Sequence, residues 1–587
     1  MRSLIFQPCA LLVAGLLLGL LAALPSHSQT IGWQWLTQVG GDGTFSSGGG
    51  SNNARVVAVA VDAAGNTVAA GGFEGTVSFG RFTLTSEGPG DVFVGWLDST
   101  GRYRRVVRGR GPGGASASRV ALGAYGTVTI AGTFTGANIR FGNFTVASND
   151  SSTTPGAGAL FVARLDSTGR WLAASAAGSP GYDQLTGLAL DAAGNAVVAG
   201  YFTGSVCQFG PLSLPNASIG FDSFVARLDQ NGRWTQAVQL GGLDNDLAQD
   251  VAVDTDGTAV VTGSFNSATL TLGPLTLVND GTPYYGLRGA DVFVARLSPN
   301  GVWTQAVRAG GTSNDFAHNV LLDAQGNAVI SGYFYSPTLT FRPFALTNAT
   351  TAGEVADVFV ARLSRAGVWT QAAQSSGSGN EETWLRKTLA LDAKGNAVIT
   401  GMFSEGTARF GNWLLPSPTT SPFDRDIFVA WLDTAGTWTK TLVLGGTDFD
   451  GNPTLALHNG DLTLAGDSWS PRLAFGALST TQRGSFVARY GKTPPVRPVI
   501  VVPVAEMVVP NVITPNGDGQ NDVFRFRNAA AGPWALQVYS RWGRQVYENA
   551  QYQQDWNAAG LPAGPYYYLL KRADDTTARK GWLEIVR

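Results

Sequence analysis

The amino-acid sequence predicts an all-β fold, and three observations predict it. The chain carries 76 glycines and only 14% charged residues, which suits short strands joined by tight turns and is poor in the lysine and glutamate that fill helix surfaces. One sequence unit recurs seven times across most of the chain, the mark of a repeat architecture. The repeats are also out of phase with the chain: a lone strand of the last type opens the series, and the closing unit lacks that strand.

Residues 1–28 read as a secretory signal peptide. Arg2 supplies the positive start, residues 10–24 form an apolar run broken only by glycines, and Ser26 and Ser28 offer small residues where a signal peptidase inspects the chain. An N-terminal anchor is the alternative, but the run is short for a span of about 20 residues. Cys9 lies before the apolar run, whereas a lipoprotein cysteine follows it. Cleavage after Ser28 leaves Cys207 alone, a small hydrophobe in a strand with no partner for a disulfide. His318 and His458, in different repeats, are then the remaining histidines. A net charge of -2 excludes the broad basic patch that nucleic acid requires. No later apolar stretch reaches spanning length, so the mature chain is expected to have no transmembrane segment.

Residues 29–490 hold the repeats. Phe-Val-Ala-Arg-Leu or a variant starts at Phe93, Phe161, Phe224, Phe293, Phe359, Phe428 and Phe486. Asp-x-x-Gly-Asn or Asp-x-x-Gly-Thr starts at Asp62, Asp191, Asp254, Asp323 and Asp392, with degenerate copies at Gly123 and His458. An aromatic strand ending in a glycine-rich turn completes the unit, as at Trp234 and Trp303. The Asp-Gly-Asn turn joins strands a and b, because Gly and Asn accept the positive φ of a tight hairpin. A second turn joins c, the Phe-Val strand, to d, the aromatic one. A further apolar hairpin lies between b and c, as in residues 76–84. Seven four-stranded units in tandem predict a β-propeller of seven blades. The spare d-type strand near Trp33 predicts closure, by pairing with the c-type strand 486–490 of the last blade and covering its open edge. An open solenoid is the alternative, and it needs no such offset. These units resemble SBBP β-propeller repeats, a resemblance that implies the fold and hardly constrains the function.

Residues 491–507, rich in proline and valine, read as an extended linker. Residues 508–587 carry five or more alternating strands, which predict a small β-sandwich. Thr514-Pro515-Asn516-Gly517-Asp518-Gly519-Gln520-Asn521-Asp522, then Arg541-Trp542-Gly543, then Gly564-Pro-Tyr566-Tyr-Tyr568, follow in order. They closely resemble the gliding motility-associated C-terminal domain, the type B sorting domain of the type IX secretion system. The family continues its tryptophan as Trp-Asp-Gly, whereas Trp556 is followed here by Asn557 and Ala558. The resemblance implies a Bacteroidota-type host, the type IX secretion machinery as partner, and a secreted or cell-surface destination.

The b–c hairpins and d–a loops are long and variable and share one face, where binding residues are expected. Asp183, Asp246, Asp315 and Asp450 each stand eight residues before an a–b turn. They read either as an acidic ring for calcium or a glycan, or as loop carboxylates bonded to their own turns. In one further loop Trp384 takes that position beside Glu381 and Glu382, a set that suits sugar stacking and hydroxyl bonding but equally suits packing between blades. Asn516, Asp518, Asn521 and Asp522 offer oxygen at the spacing of a partial calcium loop, or a plain Asx-turn. No paired glycosidase carboxylates or nucleophile stand out, so no catalytic residue is assigned and no cofactor beyond that calcium is expected. The reading is a binding or adhesion protein, with surface glycans as the ligand class. The alternatives are a secreted carbohydrate-active enzyme and a structural surface-layer component.

Overall fold

The computed structural model describes residues 31–40, 53–148, 158–216, 220–281, 283–284, 287–350, 355–383, 386–404, 406–416, 424–492, 507–527, 533–572 and 578–587. The signal peptide at 1–28, most of the linker and Trp384 lie outside them. The chain divides into two compact units, Met1–Pro494 and Pro495–Arg587. Both are all-β, with one short 3-10 turn at Ala124–Gly126 among the described residues.

In the first unit, strands a to d pair antiparallel as expected. The third sheet runs Asp183–Leu190, Ala196–Phe202, Asp222–Leu228 and Trp234–Leu240 in that spatial order. The fourth and fifth repeat it with Asp246–Val253 to Trp303–Ala309 and Asp315–Leu322 to Trp369–Gln374. The last such sheet takes Asp450–His458, Asp461–Ser468 and Gly484–Lys492 from the end of the repeats, and its fourth strand is Ile31–Gln38. The register is antiparallel, with Trp33 opposite Tyr490 and Gln38 opposite Phe486.

The anchors have local physical causes. In the a–b turn, Asp191 Oδ1 accepts the Asn195 amide and Oδ2 accepts Asn195 Nδ2 at 2.9 Å, while Gly194 takes φ +82°. The same bonds recur at Asp62, Asp323 and Asp392. All but one of the b–c hairpins drop a phenylalanine between strands c and d, and the fourth sheet's has Leu272 there. Phe341 lies 5.2 Å from Phe359 and 4.8 Å from Trp369, centroid to centroid, and Phe410 lies 5.0 Å from Phe428 and 4.9 Å from Trp438. Burying such a trio contributes several kcal/mol, roughly 1.5–3 per apolar side chain.

Three kinds of bond recur between neighbouring sheets. First, the c-strand arginine donates to the glycine carbonyl of the following a–b turn: Arg164 to Gly194, Arg227 to Gly257, Arg296 to Gly326 and Arg362 to Gly395, at 2.6–3.2 Å. Second, a polar d-strand side chain donates to the next c–d turn, as Ser175 to Gly232 and Gln236 to Pro299. Third, the last residue of d pairs with the next b–c hairpin, as Gly241 with Thr271 and Gly310 with Thr340. Each kind also joins the last sheet to the first: Arg489 donates to Gly65 O at 2.6 Å, Thr37 to Gly101 O at 2.5 Å, and Gly40 pairs with Ser78. Phe475 packs on Phe486 and on Trp33, 4.9 Å away, so the N-terminal strand supplies the last sheet's aromatic trio as well.

The second unit is one five-stranded sheet in the order Val512–Ile513, Ala578–Ile585, Gly564–Arg572, Trp534–Ser540, Gln545–Asn549, with the first pair parallel. This corrects the expected sandwich: among the described residues the second layer is irregular chain. Phe524, Phe526, Tyr552 and Trp556, all buried, cover the sheet from segments whose Asn, Asp, Gly and Pro favour turns over ladders.

Removing residues 31–38 should leave Gly484–Lys492 as an exposed edge and strip Trp33 from its trio. A truncated protein that aggregates, or melts broadly and earlier, is the expected outcome; a melt identical to that of the intact chain would contradict the pairing. Calorimetry with light scattering reads both.

Candidate functional site

The four predicted aspartates head strand a in their sheets and are all buried. Asp246 accepts both the amide and the hydroxyl of Ser267, Asp315 those of Ser336, Asp183 those of Ser179, and Asp450 the hydroxyls of Ser468 and Ser470. These serines lie in loops at the same end of the sheet, so the carboxylates tie loops together beneath the surface. Glycine-rich turns close over the acids that head strand c: a Cβ on Gly310 would stand 2.0 Å from Asp291 Oδ1. Burial drives Asp246 up to about 7 and Asp315 well above the carboxylate range, with Asp222 and Asp291, respectively, as the nearby acids adding to the effect.

Glu381, not Trp384, holds the aspartate's place in the sixth sheet. It pairs with Phe403 as Asp315 does with Phe334, and its amide donates to Ala356 O as that of Asp315 does to Ala290 O. Glu381 lies eleven residues before Asp392, against eight from Asp315 to Asp323, so three residues are inserted. Glu381 is buried against Asp357; burial and that neighbour raise its pKa, and Asp357 itself is pushed up to about 6. Two neighbouring buried carboxyls cannot both ionise cheaply. Glu382 is buried too, with Arg425 at 2.6 Å, Asn380 at 2.8 Å and the Tyr335 hydroxyl at 3.2 Å.

The insertion carries residues that sequence reasoning passed over. Arg386 donates to Val56 O and Asn452 O, both at 2.7 Å, and pairs with Asp467 at 3.2 Å, so a residue of the sixth sheet binds the seventh and the first. Lys387 pairs with Asp250 of the fourth sheet at 2.6 Å. His318 Nδ1 meets Thr383 O, and burial takes its pKa down to about 4, which leaves the ring neutral near pH 7. Their signal in the sequence is departure from the repeat: Asp250, Asn319 and Arg119 occupy one register position in which Gly187 is the corresponding residue.

Beside Arg386 opens a pocket of about 530 Å³ at the loop-rich end of the first two sheets. Arg55, Glu74, Asn53, Ser116 and Thr135 are among its walls. Aromatic side chains cluster at strand ends on that same side: Tyr182 with Tyr201 and Phe221, Phe316 with Tyr333, and Phe449 with Trp469. Tyr182 and Trp469 are exposed.

In the second unit, Asp522 accepts amides from Asn516, Gly517 and Gly519 at 2.7–3.0 Å, and Asp518 accepts those of Gln520 and the Asn516 side chain. Thr514 donates its amide to Asn521 O. These bonds form a nested turn, and among the described residues no three His, Cys, Asp or Glu side chains gather as metal ligands. Pro515 lies in this loop and Arg541, Trp542 and Gly543 form the tip of the 534–549 hairpin, with Gly543 at φ +79° and the Arg541 guanidinium over the exposed Trp542 ring. Ala558 takes φ +54°, where an L residue costs about 1–2 kcal/mol; the family's glycine would be free of that strain. Cys207 is buried, and burial raises its thiol pKa.

Residues 507–585 match the CHU_C type IX secretion signal domain. The uncharacterized WD repeat-containing protein L264 of Acanthamoeba polyphaga mimivirus is 23% identical over 173 residues, covering 28% of this chain and 12% of that protein's own length. Among solved structures, the phage phi92 endosialidase aligns with a TM-score of 0.35 at 9% identity, covering 93% of this chain and 87% of that one. A protein of unknown function from Dyadobacter fermentans DSM 18053 aligns at 0.32 with 12% identity, covering 64% of this chain and 93% of that one. Among the described residues no helix is long and apolar enough to cross a membrane.

The raised carboxyls predict an unusual pH profile. A group whose folded pKa exceeds its unfolded value stabilises fully below the unfolded pKa, near 4, and loses that contribution as pH rises through the folded pKa. Between pH 4 and 7 the melting temperature should therefore fall, and Asp246→Asn should flatten the fall. A profile rising steadily from pH 4 to 8 would contradict the buried-acid assignment; calorimetry across that range checks it.

Proposed function

We propose that the protein is an exported binding protein, in which the seven sheets are the blades of a closed ring and the loop-rich face takes a carbohydrate. Its C-terminal domain is a type IX secretion signal domain, which implies export by the type IX secretion system to the cell surface or the medium. Residues 1–28 would first carry the chain across the inner membrane of a Bacteroidota-type host. The blades' likeness to SBBP repeats accords with a scaffold of this kind.

One observation carries the binding reading. Three unrepeated acids of this face are held by bases, Asp250 by Lys387, Asp467 by Arg386 and Glu382 by Arg425, while hydroxyl, amide and guanidinium groups are among the walls of the pocket beside them. An acid that protonates a leaving group must exchange its proton during turnover, and acids fixed in ion pairs serve instead to shape a surface. Exposed Tyr182 and Trp469 add stacking area for sugar rings on the same side. Calcium at Asp518 and Asp522 has no part in this reading, since amide donors already engage both carboxylates.

A glycan array probed with the mature protein tests it. Retention on at least one polysaccharide class is expected, with the glycan recovered unshortened and with Trp469→Ala binding about three- to tenfold more weakly, the usual worth of one aromatic contact. Shortened products would move the protein to the carbohydrate-active enzymes, and failure to retain any glycan would overturn the reading.

A further inference from the structure

The pocket at the first two sheets lies where the repeat departs from its usual residues. Five sheets place an acid at the head of strand a: Asp183, Asp246, Asp315, Glu381 and Asp450. The first two place Ala54 and Ala115 there, opposite Phe73 and Phe134 as Asp246 stands opposite Phe265. The pocket opens where those acids are missing, and Arg55, the residue after Ala54, is an exposed part of its wall.

The ground beneath is positive. Arg386 reaches the pocket with its side chain 12% exposed and spends three of its five N–H donors on Val56 O, Asn452 O and Asp467. Arg55 and Arg119 both lie close enough to depress its pKa or have theirs depressed by it, after burial as the main cause. Arg55, Arg119, Arg386 and Lys387 stand against Glu74, Asp250 and Asp467, which leaves an excess of one positive charge at this centre. His318 adds none, because burial keeps it neutral. A partly buried excess of one sign attracts and holds a counter-ion far better than exposed charge does.

We propose that this pocket binds the carboxylate of an acidic sugar unit, so that the ligand is a uronate-type anionic polysaccharide. The inference rests on the carbohydrate-binding reading and narrows it. Guanidinium groups match a carboxylate in plane and can bond it through two N–H groups at once. Asn53, Ser116 and Thr135 on the surrounding walls supply the amide and hydroxyl partners that sugar hydroxyls need. The small Ala115 on the same wall leaves room for the sugar ring.

The test uses the intact mature protein and paired probes: polygalacturonate, alginate and hyaluronan, each beside the same polymer with its carboxyls reduced to alcohols. The acidic form of at least one pair should bind at least about tenfold more tightly, the worth of a charge-assisted bond, and should weaken with salt. Arg55→Met, an exposed position, should remove about the same factor with the melting temperature unchanged. Ala115→Leu, on the pocket wall, should do so by filling the space. Equal binding of every acidic polymer and its reduced partner would overturn the carboxylate and leave the broader carbohydrate reading standing. Folded Arg55→Met with undiminished affinity for the acidic form would place the site elsewhere and overturn the proposal. No binding of any probe, acidic or reduced, together with an empty glycan array, would overturn both.

Discussion

The antiparallel pairing of Ile31–Gln38 with Gly484–Lys492 joins the two ends of the repeated body, and the other sheets depend on it. Neighbouring sheets lean on one another through recurring c-strand arginines, d-strand donors and aromatic clusters at the b–c hairpins. In an open array the first and last sheets would keep unpaired edges and unmet donors. Here Arg489, Thr37 and Gly40 make across the ends the same bonds that neighbours make along the chain. The pairing spans more than four hundred residues, so it is favourable only once the intervening sheets have brought its partners together. The entropy of closing so long a loop grows only slowly with length, about 0.6 kcal/mol per doubling, but contacts of this separation form late and slowly.

A scaffold made this way divides its residues into two kinds. Those that recur, such as the a–b turn aspartates and the acids heading strands a and c, bond within and between neighbouring sheets, and the strand-heading acids are buried there. Those that occur once are Arg119, Asp250, His318, Arg386 and Lys387, which interact with one another and across sheets. The insertion after Glu381 is the largest break in the pattern, and it lets one loop bind the first, fourth and seventh sheets. The pocket beside it lies where two consecutive repeats have lost an acid. Function on a repeat scaffold is therefore found by subtracting the repeat.

The strands, their turns and the spare N-terminal strand were legible in the sequence because each rests on local chemistry: Gly and Asn for positive φ, alternating apolar residues for a buried sheet, Trp or Phe for the trio. The recurrent aspartates were legible as positions but ambiguous in role, since a carboxylate capping serines and one facing solvent look alike in sequence. Trp384 was aligned with them because spacing was counted from the following turn, and three inserted residues shifted that count; the strand register restores Glu381. Arg386 and Lys387 show in the sequence only as part of an insertion in the repeat, and their contacts could not be read. Their partners, Val56, Asp467 and Asp250, are tens to hundreds of residues away, and only the folded sheets bring them together. In the C-terminal unit the motif string located the domain, while the irregular second layer has no period to read.

Amide hydrogen exchange of the intact mature protein measures the joining of the ends most directly. If Ile31–Gln38 is an integral strand, the amides of Thr37 and Val39, which face Gly484–Lys492, should exchange as slowly as those of Val487 and Ser485 opposite them, and all should be released together in global unfolding. Fast exchange at Thr37 and Val39, in the range of a frayed terminus, with Gly484–Lys492 left as an unprotected edge, would contradict the account.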